Sequence, residues 1–327
     1  MKKRLLLFIA GIMLVLLVVS FFGFEEVIGA LVHANPLYIA AALGLQFVGL
    51  LLLGLRQKVL GGGKASLRKS FRVAMSGNFV NLIMPGPAIG GETLKAYMLR
   101  STYGRGKAIA VIAVDDFIEI LGTLLVVFFA VVFFAPMVAP GLKTVFAAFI
   151  LIVILIMTGI LKVLLTPKWL KRVVHWVIKR ISKYQHINEK DYASMFYRAF
   201  RVLLKKKIIL SKALALTLSI KIIEFAVLYL SFASLGVSLP LREIVVLWSI
   251  IVVFLFIPWL PGSLGLVEFG AASTLVSLGL ASTTAASGML INRAISLWFV
   301  LFVGAVAIYH ARTKGELAKN TRLGDVK

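Results

Sequence analysis

The chain has 327 residues, of which 61% are hydrophobic, with mean hydropathy +1.00 and a formal net charge of +23. That apolar share is far above the range of a soluble domain, and the lack of cysteine excludes disulfides, thiolate nucleophiles and cysteine-bound metal. The four histidines, His33, His175, His186 and His310, are too scattered to suggest a metal cluster, so neither a metal nor a cofactor is expected.

Apolar runs of about 20 residues, the length that crosses a bilayer core, recur along nearly the whole chain. The first, about 5–22, follows Lys2-Lys3-Arg4 and is read as a retained span, since no small-x-small cleavage site follows it. The loop 23–36 carries Glu25 and Glu26 but no Lys or Arg, as an external loop should. A second span, about 37–55, returns to a basic loop holding Arg56, Lys58, Lys64, Arg68, Lys69 and Arg72. Segment 73–99 is apolar, broken at Pro85-Gly86-Pro87 and flanked at both ends by basic residues, which fits a re-entrant hairpin better than a full crossing. A span at about 107–135 then leads to an uncharged turn near Pro136–Gly141.

The second half repeats this order. A span runs from Lys143 to about 165, a basic stretch covers 166–207, and residues 208–235 cross outward. Segment 244–280 is broken at Pro258 and Pro261-Gly262, and no Lys or Arg lies between Arg242 and Arg293, so this hairpin is expected to enter from outside. The last span, about 288–310, ends in a basic tail. The expected fold is an all-α polytopic membrane protein of one integral domain, 1–327. It is built from two inverted repeats, about 1–135 and 143–310, each of three transmembrane helices and one re-entrant helical hairpin. Eight full spans with proline kinks are the alternative, but would put the Arg100–Lys107 charges outside.

On this topology the 36 Lys and Arg residues face the cytoplasm, except Lys143 and Arg242 at external ends and Lys221 and Arg293 within spans. The basicity is topogenic and does not call for nucleic acid. Both termini are expected to be cytoplasmic and the protein to sit in the cell membrane. Segment 168–183 spaces Trp169, Leu170, Val173, Val174, Trp176, Val177 and Ile181 helically among Lys and Arg, after the Thr166-Pro167 start signal. It reads as a helix on the anionic inner leaflet, or as a connector packed on the bundle. Gly61-Gly62-Gly63-Lys64 lacks the remaining P-loop residues and reads as a flexible loop.

Chemistry is expected at the broken segments. The phrase Pro-Gly-x5-Glu occurs twice, as Pro85, Gly86 and Glu92 and as Pro261, Gly262 and Glu268. Each break frees backbone amides at the start of a half-helix, where the helix dipole favours anions, although a plain kink or close packing is the alternative. Six of the 13 acidic residues, Glu92, Asp115, Asp116, Glu119, Glu224 and Glu268, fall in apolar segments. Charge at that depth costs at least about 2.5–3.5 kcal/mol, so partners or a wet cavity are needed. Asp115 and Glu119 share one helix face by their spacing, and lie about 12 and 18 Å deep counted from Lys107. The deep cationic candidates are Arg293, Lys221 and, closer to the interface, Lys95; Lys221 is expected to pair with Glu224, three residues on. Arg293 either fixes helix register through a buried salt bridge or contacts an anionic head group, which its planar donor fork suits. Asn78 and Asn81 either add donors or cap the kink.

These motifs resemble the flippase-like transmembrane family typified by the membrane part of lysylphosphatidylglycerol synthase. The resemblance rests on IPWLPGSLGLVEFG followed by LINRAISLW, with Pro261, Gly262, Gly265, Glu268 and Arg293, and on NLIMPGPAIGGETLKAYMLR before the acidic span. Where the family often carries an acidic–arginine pair, this chain has Asp115-Asp116. The soluble aminoacyl-transferring domain of the bifunctional synthases is not expected here, so the resemblance implies lipid translocation, or a role in lipid or lipid-linked glycan biosynthesis, without lysyl transfer. The expected partner is a membrane phospholipid or lipid-linked substrate, its head group passing a groove lined by Glu92, Glu268, Arg293 and the Asp115–Glu119 cluster. The rivals are a membrane-embedded transferase, a secondary transporter of a small solute and a structural scaffold.

Overall fold

The computed structural model describes residues 24–83, 89–134, 200–255 and 263–316, together with scattered single positions. The first span, the breaks at Pro85, Gly86, Pro261 and Gly262, and nearly all of 143–198, with the segment 168–183, lie outside the described residues. Every regular element described is helical: α1 Phe24–Val32, α2 Pro36–Leu60, α3 Leu67–Ile83, α4 Ile89–Tyr103, α5 Arg105–Phe134, α6 Lys207–Ala233, α7 Leu241–Leu255, α8 Leu266–Ser277 and α9 Ser282–Arg293. A π-helical turn, Ala294–Phe299, joins α9 without interruption to α10, Val300–Thr313. Among the described residues, Pro36–Leu60, Lys207–Ala233 and Ser282–Thr313 are long and apolar enough to cross a membrane.

Local sequence sets the ends of α2. The Asn35 side chain accepts the Leu37 amide at 3.0 Å with Pro36 at the first helical position, a strong start signal. Gly61 caps the far end, and Gly62 and Gly63 follow at φ +76° and +77°, a conformation that costs side-chain-bearing residues energy and stops the helix. The helix thus runs five residues beyond the hydropathy boundary near 55. Arg56, expected in the basic loop, lies inside the bundle at 3% exposure.

α2 and α6 pack antiparallel along their full length. The Asn35 amide meets the Ser234 carbonyl at one end, Gly49 lies against Ile223 midway, and Leu60 and Ala213 share one apolar cluster at the other. α3 and α4 form a second antiparallel pair: Lys69 reaches Ser101 and Thr102 near the open end, Gly77 lies under Lys95, and Asn81 meets Gly91 and Glu92 near the break. α7 packs on α8, with Gly270 against the Phe254 ring. Around this centre, α3 packs on α10 and α7 on α5, while α4 packs on α5 and α8 on α9. α1 lies on α9, and Phe200 and Leu203 lie on α5. Small residues at several of these crossings let helices approach closely where lipid supplies no hydrophobic drive between them.

Candidate functional site

The charged residues of the apolar helices converge on a cavity of about 580 Å³. α2, α3, α4, α5, α6, α7, the end of α9 and the π-helical turn all contribute to its wall. Glu92, Asp115, Asp116, Glu119, Asn78, Asn81 and Arg293 line it, together with Lys95, Lys221 and Glu224. Glu119 and Glu224 sit at the middle of long helices, yet their side chains are 32% and 34% accessible. Both line the cavity, and a carboxylate at that depth needs such a polar, open wall.

One ion-pair ladder crosses the cavity from α2 to α7. Arg56 Nε donates to Asp115 Oδ1 at 2.6 Å, and Arg56 Nη1 donates to Glu119 and, at 2.8 Å, to Thr217 Oγ1. The other oxygen of Glu119 accepts Lys221 Nζ at 2.5 Å. Lys221 pairs in turn with Glu224 at 3.2 Å, whose second oxygen accepts the Trp248 indole N–H at 2.9 Å. The expected Lys221–Glu224 pair is therefore present, but as one rung of a longer ladder. A guanidinium suits the Arg56 position because its fork can meet two carboxylates and a hydroxyl at once.

A second cluster lies at the break between α3 and α4. Lys95 Nζ and Asn81 Nδ2 both donate to Glu92 Oε1, at 3.0 and 2.9 Å, while Asn81 Oδ1 accepts the Gly91 amide at 2.8 Å. Asn81 so ties the start of α4 to the end of α3. Glu92 Oε2 is buried without a hydrogen-bond partner. Asp116, one residue along α5 from Asp115, lies within electrostatic reach of Glu92, Lys95 and Asp115. Lys95 is only 6% exposed.

The second copy of the repeated phrase is built differently. Glu268 Oε2 accepts the Gly265 amide at 2.6 Å, capping the start of α8, while Oε1 accepts Arg293 Nε at 2.8 Å. Gly265 holds φ +81°, which positions its amide for that cap. At 2% exposure Glu268 is not on the cavity wall; it stands behind Arg293, which is. The structure thus gives Arg293 the buried salt bridge and a place on the wall together.

Sequence reading missed Arg56, the cation that joins Asp115 to Glu119, and Trp248, the donor that ends the ladder. The stop signal at Gly61–Gly63 carried the information on Arg56: ending the helix at its glycines instead of at its last apolar run would have placed the arginine inside. Trp248 has no comparable signal, because its partner is chosen by the packing of α6 on α7. Among the described residues no three His, Asp or Glu side chains are grouped to hold a metal ion.

Long apolar helices around a charged interior cavity define the class: a polytopic α-helical integral membrane protein. The family model of the lysylphosphatidylglycerol synthase transmembrane region matches residues 5–304, and the chain belongs to that family. It is 25% identical over 332 residues to a UPF0104 membrane protein of Methanothermobacter thermautotrophicus, covering 94% of this chain and 95% of the relative. A UPF0104 membrane protein of Pyrococcus horikoshii is 23% identical over 328 residues, covering 95% and 98%. One from Methanocaldococcus jannaschii is 27% identical over 146 residues, 43% of each chain. No solved structure matches the chain.

Proposed function

We propose that this protein moves the polar head group of a phospholipid or lipid-linked substrate between membrane leaflets, through a groove formed where two re-entrant hairpins meet. The observation that carries this reading is the charged cavity of about 580 Å³, walled by both α3–α4 and α7. Its volume suits a small polar group, and its balance of four cations and five carboxylates suits a charged or zwitterionic one. Acyl chains would remain in the bilayer beside it. No nucleotide-binding motif accompanies the cavity in the sequence, so movement would be downhill or coupled to an ion gradient.

The inverted-repeat reading draws support from packing. Superposing the order of the two halves makes α2 the counterpart of α6, α3–α4 of α7–α8, and α5 of α9–α10. Under that correspondence the packing of α3 on α10 matches that of α7 on α5, and α4 on α5 matches α8 on α9. The counterparts α2 and α6 run antiparallel, as repeats of opposite orientation require. On this reading both termini are cytoplasmic in the cell membrane, and the basic segment 168–183 rests on the anionic inner leaflet.

The test is lipid translocation by the purified protein in proteoliposomes, comparing wild type with Glu92→Gln and Asp116→Asn. Slowed translocation with intact folding is expected for both. Equal rates in all three proteins would remove the cavity from the mechanism. Product formed from a lipid donor and acceptor, without translocation, would favour the transferase instead.

A further inference from the structure

Lys64, Lys107 and Lys206 belong to three separate segments: the turn after α2, the first turn of α5 and the residue before α6. The fold brings them to one end of the bundle: Leu60, Ala110, Leu203 and Ile209, near them in the chain, pack in one apolar cluster, and the Lys107 ammonium lies within electrostatic reach of both other lysines. Lys107 Nζ is held there by the Gly61 carbonyl at 3.2 Å and stands 5.2 Å from the centroid of the Tyr103 ring. Among the described residues no carboxylate forms an ion pair with any of the three. Every deeper cation around the cavity has such a partner. Gathering like charges without a counter-charge is unfavourable, and an anion relieves it.

Two further features specify that anion. α6 begins just after Lys206, which gives its first amides no side-chain cap, and α5 begins two residues before Lys107, so both helices turn their positive ends toward the cluster. The apolar side chains Leu67, Val202 and Ile208, which neighbour the lysines in the chain, are 39%, 55% and 71% exposed. Lysines with exposed apolar groups two to four residues away in the chain suit a phosphate that arrives attached to acyl chains, whereas a soluble anion would gain nothing from those groups.

We propose that Lys64, Lys107 and Lys206 form a docking site for the phosphate of an anionic phospholipid at the membrane surface beside α2, α5 and α6. The site uses no residue of segment 168–183 and does not depend on translocation. It would hold its lipid whether or not the cavity moves one.

Binding of dioctanoyl phosphatidylglycerol to the full chain in neutral detergent, measured by calorimetry, tests this. The triple variant Lys64→Gln, Lys107→Gln, Lys206→Gln should bind about a hundredfold more weakly, from roughly 1 kcal/mol per lysine. A comparison triple, Arg68→Gln, Arg312→Gln, Lys314→Gln, removes the same charge from the same end and should stay within about threefold of wild type. Equal losses in both triples would reduce the effect to general surface potential and overturn the site. Equally tight binding of dioctanoyl phosphatidylcholine would also overturn it. Displacement of the lipid by millimolar inorganic phosphate would reassign the cluster to free anions and overturn the lipid docking. If the triple variant fails to fold, Lys206→Gln alone, at an exposed position before α6, should weaken binding about fivefold, and an unchanged affinity would count against the proposal.

Discussion

Glu119 accepts Arg56 on one carboxylate oxygen and Lys221 on the other, so a single side chain of α5 ties α2 to α6. The three residues come from positions far apart in the chain, and each is costly in lipid alone. Their mutual satisfaction is what makes the central antiparallel pair compatible with a wet interior.

Neutralising that bridge should destabilise the bundle. Glu119→Gln is expected to cost about 2–4 kcal/mol, somewhat less than a fully dry pair because Glu119 is 32% accessible. Thermal unfolding of the detergent-solubilised protein measures it. A double-mutant cycle with Arg56→Met should show coupling of about 1–3 kcal/mol; additive effects would mean the two side chains do not act together. Arg56→Lys should not rescue, since an ammonium lacks the fork that reaches Asp115, Glu119 and Thr217 at once.

The two repeated glutamates should behave differently. Glu268→Gln removes the charged acceptor of Arg293 Nε and weakens the cap on α8, an expected loss of about 3–5 kcal/mol seen as poor folding. Glu92 is 23% accessible and lines the cavity, so Glu92→Gln should unfold little and, on the proposed function, slow translocation about tenfold, the effect of one lost charge-assisted contact of roughly 1.4 kcal/mol. The reverse pattern, a folded but inactive Glu268→Gln beside an unstable Glu92→Gln, would contradict this assignment.

Gly91 should tolerate no side chain. A methyl there would overlap Asn81 Oδ1 and the Gly77 carbonyl, forcing α4 away from α3 and breaking the bond that ties the two together. Gly91→Ala is expected to cost about 1–3 kcal/mol. At Gly44, also within a helix, a methyl meets nothing within 4 Å, so Gly44→Ala should be neutral or slightly stabilising. Paired melting curves of the two variants decide this.

Trp248→Phe removes the indole N–H that ends the ladder while keeping a ring against Phe225. The expected loss is about 1.5–3 kcal/mol, since the bond it removes goes to a charged carboxylate. A melting temperature unchanged from wild type would show that Glu224 finds another donor.

Some of this architecture was legible before any coordinate. Hydropathy, caps and glycines act through neighbours in the chain, so the helices of α2, α5 and α6 appear in the sequence within a few residues of their observed limits. The cost of charge in lipid is equally local to each residue, which is why the acidic positions of α4 and α5 marked a polar interior.

The choice of partners was decided only by tertiary structure. Arg56 meets residues 59 and 63 positions away, and Lys221 one 102 positions away, with no periodicity linking them. Glu92 and Glu268 stand in the same sequence phrase, yet Asn81 of the facing helix serves the first and Arg293 the second. Which cation neutralises which carboxylate depends on how helices cross, and helix crossing is set by the surfaces of both partners together. A linear pattern carries each surface separately; only packing brings two of them face to face.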